Sequence, residues 1–81
     1  MRVEYGDAVR RALDAASPAV ARAFFKQLKF LEQNLHHPSL RAKKYDEARD
    51  IWQARVNDKW RFYFKIADGA YHIIKVRRHP K

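Results

Sequence analysis

The chain has 81 residues, no cysteine, and 18 lysines and arginines against 9 acidic residues, for a formal net charge of +9. A chain this short is expected to form one compact domain, 1–81, burying about 60% of its unfolded surface. Without thiols there is no disulfide framework, cysteine nucleophile or zinc–thiolate site, and a reducing compartment is expected. At 47% hydrophobic and 14% aromatic residues, with two glycines and three prolines, the composition is that of a folded domain. No run approaches the ~18 apolar residues of a membrane span, and residues 1–5 lack the apolar stretch of a signal peptide, so a soluble, cytoplasmic protein is expected.

Val3-Glu4-Tyr5 reads as a short strand, and Gly6-Asp7 breaks it and opens a helix whose Val9, Ala12, Leu13 and Ala16 share one stripe. Ser17-Pro18 restarts the chain as a second helix, because serine accepts an orphan amide bond and proline in the first turn loses no needed donor. Val20, Phe24, Leu28, Leu31 and Leu35 then step by four, four, three and four, which predicts a helix over 18–35. It stops before His37-Pro38, since the residue ahead of a proline is pushed out of helical space. His36 and His37 point in different directions at that helix end with no third ligand, so compensation of the helix C-terminus is the better reading than a metal site. Residues 38–50 read as a loop containing a short strand.

From Ile51 the period changes to two. Trp52, Ala54 and Val56 alternate with polar residues; after Asn57-Asp58-Lys59, Trp60, Phe62, Phe64 and Ile66 alternate with Arg61, Tyr63 and Lys65; after Asp68-Gly69, Tyr71–Val76 forms a last strand. Three-residue loops at 57–59 and 67–69 would pair even positions with even ones. Trp52, Ala54, Val56, Trp60, Phe62, Phe64, Ile66, Ile74 and Val76 then cover the helices. Arg55, Arg61, Tyr63, Lys65, Tyr71, Lys75 and Arg77 share the other face, continued by His79 and Lys81. A two-residue Asp-Gly turn would set Arg61 opposite Val76 and mix the faces. The expected fold class is α+β: an N-terminal strand and helix hairpin packed on a twisted antiparallel sheet whose outer face is basic and aromatic. Residues 52–81 carry 8 basic and 2 acidic side chains, against 10 and 7 in residues 1–51, so the excess charge lies with these strands.

The order and spacing of Asn34-Leu35, Pro38-Ser39-Leu40, Trp52-Gln53-Ala54-Arg55-Val56, Trp60-Arg61-Phe62-Tyr63-Phe64 and Arg77-Arg78-His79-Pro80-Lys81 resemble the RelE/ParE superfamily of bacterial toxin–antitoxin systems. The resemblance spans nearly the whole chain. It implies a RelE-like fold and the toxin of a type II system, a ribosome-dependent endoribonuclease that inhibits translation by cutting mRNA without a metal or organic cofactor. In that branch an arginine at the position of Arg61 holds the scissile phosphate, and a histidine near the C-terminus, where His79 falls, is catalytic in some members. A family glutamate used as base has no match here, and the terminal helix or tyrosine of several members is absent. The implied partners are a cognate antitoxin with an acidic or amphipathic segment, the ribosome and mRNA. The alternatives are a ParE-like inhibitor that binds DNA gyrase, needing no catalytic residue, and a catalytically inactive antitoxin-bound member.

The chemistry of cleavage assigns tasks to these residue types. The 2′-hydroxyl must lose a proton, the phosphate must be neutralised as charge develops, and the departing 5′-oxygen must gain a proton. Arginine suits the phosphate, because its planar fork binds two oxygens and stays charged; histidine exchanges protons near neutral pH. Read from the residues alone, Arg61 is either such a clamp or a solvated strand arginine, and His79 either a proton carrier or a frayed terminal residue. Arg55, Lys75 and Arg77 either converge on one anion or attract nucleic acid and acidic segments generally. Tyr63 either stacks on an unpaired base or packs across strands. Lys43 and Lys44 are phosphate contacts or a solvated loop, and Trp52 and Trp60 belong to the core.

Overall fold

The computed structural model describes residues 1–79. In chain order the elements are β1 (Arg2–Tyr5), α1 (Asp7–Ala15), α2 (Pro18–Gln33), β2 (Lys43–Asp46), β3 (Ile51–Arg55), β4 (Trp60–Ala67) and β5 (Ala70–Arg78). Both helices lie on one face of a five-stranded sheet of order β1-β5-β4-β3-β2. The expected α+β architecture is present, with one difference in the sheet. β1 pairs with β5 in parallel, so the sheet is mixed, not wholly antiparallel. The connection between them runs through both helices and β2 to β4, which is long enough for the crossover that a parallel pair needs.

The helix hairpin forms where the local chemistry directs it. The Ser17 hydroxyl accepts from the Val20 amide at 3.4 Å and Pro18 occupies the first helical turn. α2 buries Val20, Phe24, Leu28 and Leu31, and with them Gln27, which occupies the same stripe. Phe24 stands edge-on to Phe62 with centroids 5.6 Å apart, Phe62 neighbours Phe64 at 5.8 Å, and Phe64 meets Tyr71 edge-on at 5.6 Å. These rings, with Leu31 and Leu40, form the centre of the core. Trp52 and Trp60 are half-buried at its margin and pack against it rather than inside it.

The β4–β5 hairpin departs from the expected register. Ala67 pairs with Ala70, so Asp68-Gly69 is a two-residue turn, with φ of 53° and 73°. Positive φ at both central positions is the mirror-image turn whose twist matches the flanking strands, and Asp-Gly is a favoured pair for it. The parity is restored by a bulge: Tyr63 pairs with Lys75 but Phe64 with Ile73, leaving Ile74 unpaired. Ile73 and Tyr71 therefore enter the core, and Ile74 is pushed out to 43% exposure. This corrects two assignments, Ile74 to the core and Tyr71 to the basic face. Beyond the bulge Phe62 pairs with Val76 and Arg61 with Arg77, as alternation requires.

Candidate functional site

On the sheet face away from the helices the registers lay the side chains out in rows. Arg55, Arg61 and Arg77 are consecutive partners across β3, β4 and β5, and the next row is Lys43, Gln53, Tyr63 and Lys75 across β2 to β5. Adjacent strands lie about 4.8 Å apart, so the first row places three guanidinium stems side by side. Their heads then diverge into two clefts.

The first cleft, of about 210 Å³, is lined by Arg41, Lys43, Gln53, Ala54, Arg55, Arg61 and His79. Arg61 Nη1 donates to the carbonyls of Asn57 at 2.6 Å, Trp60 at 2.9 Å and Asp58 at 3.3 Å. Among the described residues its Nε and Nη2 have no partner, and that edge of the fork is able to bind two oxygens of a phosphate. Partial burial, followed by the positive charges of Arg55 and Arg41, eases the Arg61 guanidinium below its ordinary pKa. It remains charged. The part of that shift due to Arg55 and Arg41 is repulsion that an added anion would relieve.

The cleft is braced from behind. The Arg55 amide donates to Leu40 O at 2.8 Å, and Gln27 Nε2 donates to the carbonyls of Arg55 at 2.8 Å and Ser39 at 3.0 Å. The Ser39 hydroxyl completes the clasp by donating to Gln27 Oε1 at 2.8 Å. α2, the loop that follows it and the end of β3 are thereby fixed together. The Arg55 guanidinium pairs with Asp58, whose side chain is 85% exposed. The His79 amide donates to Lys59 O at 2.7 Å, which holds the end of the chain against the loop carrying Asp58 and places the imidazole at the cleft wall. Lys81, expected on the same face, lies outside the described residues.

The second cleft, of about 240 Å³, takes Arg77. Its Nε donates to the Tyr63 hydroxyl at 3.2 Å, its Nη2 donates to the Tyr45 hydroxyl at 3.3 Å, and the guanidinium lies 5.1 Å from the Tyr63 ring centroid. The hydrogen bond that Arg77 donates to Tyr63 raises its pKa. Arg77 thus begins in the row of Arg55 and Arg61 but ends away from them, and Lys75 lines the same second cleft. Tyr63, expected as a stacking platform, is only 3% exposed and is covered by Arg77 and by Tyr45, whose ring stands 4.9 Å away at 65°. Its packing role is the one realised. Lys44 is also displaced from the expected set: it pairs with Trp52 in register, sits 5.1 Å over that indole and forms an ion pair with Asp50, which raises its pKa. That is the helix side of the sheet, whereas Lys43 remains on the cleft side. His37 stacks on Phe30 at 3.9 Å and its Nδ1 accepts from the Ser39 amide.

Three contributors escape the sequence reading. Arg41 lines the cleft from the loop between α2 and β2 with φ of 46°, a conformation rare outside glycine, asparagine and aspartate. Gln27 has a legible signal, a polar residue in phase with Phe24, Leu28 and Leu31, but its partners are remote in sequence. Tyr45 sits where β2 slips register between Lys44 and Asp46, and carries no periodic signal.

Solved structures share this fold. The archaeal RelE–RelB complex from Pyrococcus horikoshii OT3 superposes with a TM-score of 0.78 at 23% identity, covering 95% of this chain and 92% of that one. A YoeB/ParE toxin from Agrobacterium tumefaciens gives 0.78 at 9% identity, covering 99% and 100%. The heterotetrameric YoeB–YefM toxin–antitoxin complex from Staphylococcus aureus gives 0.75 at 12%, covering 99% and 98%. The fold is that of these RelE and YoeB/ParE toxins. No family model matches the chain, and no curated protein matches its sequence. At these identities the shared property is the RelE-like fold itself, with its helices on one face and its open sheet on the other.

Proposed function

We propose that the chain is the toxin of a toxin–antitoxin pair, acting as a metal-independent endoribonuclease on mRNA at the translating ribosome. The observation that carries this reading is the first cleft: Arg61 anchored through one nitrogen with its other edge free, flanked by Arg41, Lys43 and Arg55, with His79 at the wall. In the reaction the 2′-oxygen attacks the adjacent phosphorus, the bond to the 5′-oxygen breaks, and a cyclic phosphate and a 5′-hydroxyl result. Arg61 binds the non-bridging oxygens and stabilises the added charge; its carbonyl anchors hold it in place before substrate arrives, so little reorganisation accompanies the reaction. His79 exchanges the proton, and Arg55 supplies supporting charge. The Arg77 guanidinium and Lys75 line the second cleft and act on flanking RNA. No metal or organic cofactor enters this scheme. The RelE–RelB and YoeB–YefM neighbours are complexes with antitoxins, which supports a cognate antitoxin with an acidic or amphipathic segment as the partner here. Among the described residues no helix is long and apolar enough to cross a membrane, and a cytoplasmic site of action follows from the proposed substrate.

The test is primer extension on mRNA from cells expressing the parent, Arg61→Ala or His79→Ala. Both variants should lose cleavage by about a hundredfold or more, as when one transition-state donor is removed. Arg61→Lys should recover only part of it, because a point charge cannot reproduce the fork. Cleavage at the parental rate in both alanine variants would overturn these assignments. A parent that never cuts mRNA but inhibits DNA gyrase would replace the reading with the ParE-like one.

A further inference from the structure

The second cleft combines features that a solvated charged face does not need. Tyr45 is 53% exposed and Ile74 is 43% exposed, and both line it together with Ile51. Large apolar groups held open among Arg49, Lys75 and Arg77 match a ligand that is itself flat, apolar on its faces and attached to an anion. Each apolar wall also lies at an irregularity of its strand. The bulge in β5 turns Ile74 outward, and Tyr45, two residues from Lys43 and so on the same basic face, stands unpaired at the slip in β2. The Tyr45 ring is steadied by its edge-on contact with Tyr63 and by the hydrogen bond from Arg77, so its orientation is set before any ligand binds.

We propose that this cleft is a nucleobase subsite, in which the base of a nucleotide flanking the cleaved one stacks on Tyr45 against Ile74 while Arg77 and Lys75 hold its phosphate. The proposal rests on the ribonuclease reading of the first cleft and names how its substrate is gripped. Tyr63 lies two residues along β4 from Arg61, about 7 Å at the rise of a strand, close to one nucleotide repeat of an extended chain. The row of Gln53 and Tyr63 separates the two clefts without a wall of acidic groups between them. A single strand laid from Arg61 toward Tyr45 therefore passes from a cationic cleft to one exposed aromatic ring, the two features by which proteins hold unpaired nucleic acid. An acidic peptide would satisfy the cations but would leave the tyrosine ring and Ile74 without a matching flat partner.

The experiment is fluorescence anisotropy on the full chain with three labelled probes: a 2′-O-methyl adenosine hexanucleotide, which cannot be cleaved; the same oligomer with abasic sugars; and an octaglutamate peptide. Tyr45→Ala should weaken the hexanucleotide about tenfold, the scale of one lost base–aromatic stack, and leave the abasic oligomer within about twofold. Tyr45→Phe should bind both as the parent does, since the ring is retained. Arg61→Ala should weaken both nucleic acid probes alike. Circular dichroism confirms that each variant folds. The subsite is overturned if Tyr45→Ala binds the hexanucleotide as the parent does, if it loses both oligomers equally, or if only the octaglutamate depends on Tyr45. If the probes discriminate as expected while the parent cuts no mRNA, the subsite stands and the ribonuclease reading falls. If the parent cuts mRNA but Tyr45→Ala leaves the probes undistinguished, the subsite alone falls.

Discussion

Asp58 places a carboxylate against Arg55, which lines the first cleft, on a side chain 85% exposed to water. An incoming phosphate must compete with it for the same guanidinium. Asp58→Asn should therefore strengthen binding of the uncleavable hexanucleotide by about two- to fivefold, the equivalent of one exposed ion pair, with stability unchanged within about 0.5 kcal/mol. Anisotropy titration and thermal denaturation check the two halves. At this scale the sequence showed Arg55, Arg61 and His79 because alternation and spacing place them. It did not show Arg41 or Tyr45, since one occupies an irregular loop and the other a slipped register, where neither period applies. Lys44 was misplaced for a related reason. Adjacent lysines on a strand point to opposite faces, and the loop reading gave no parity by which to separate Lys43 from Lys44.

The β4–β5 hairpin shows how an element can be read correctly at its outer end and wrongly in the middle. Parity alone favours a three-residue loop, which pairs odd positions with odd ones and would set Arg61 opposite Lys75; the molecule keeps that parity with a two-residue turn and one extra residue in β5, and sets Arg61 opposite Arg77 instead. A bulge leaves no trace in alternation except a pair of adjacent apolar residues, here Ile73-Ile74, which a continuous strand tolerates equally well. The turn makes a distinct demand. Gly69 has φ of 73°, and a side chain there would meet nothing within 4 Å, so Gly69→Ala is penalised by backbone conformation alone. The expected loss is about 1 kcal/mol, read as a lower urea midpoint with an unchanged slope. Ile74→Ala, at the exposed bulge, should shift the midpoint by less than half as much.

Across the whole molecule, the helices take up one face of the sheet and leave the other open, so that Lys43, Arg55, Arg61, Lys75 and Arg77 are presented together on one side. Attraction of a polyanion to such a surface is dominated by release of its counterions. The logarithm of the affinity for single-stranded RNA should fall linearly with the logarithm of salt concentration, with a slope of about −0.7 per phosphate neutralised. Arg55→Ala should reduce the magnitude of that slope by about 0.7, while Lys44→Ala, on the helix side, should leave it unchanged. Anisotropy titrations over a salt series measure both. The layering itself was legible because helix and strand periods each present one apolar side. The parallel seam was not, since a four-residue strand carries no mark of which neighbour it will choose.

That seam joins Arg2 to Ala70 and Tyr5 to Ile73, the first strand made to the last. During synthesis the helix hairpin can form early, but β1 has no partner until β5 has been made, and the row of Arg55, Arg61 and Arg77 is assembled by the same strand. Contacts so distant in sequence form slowly. A nascent chain therefore carries no finished cleft until β5 has emerged and paired, and the geometry proposed to attack messages is acquired after every other strand of the sheet has been made.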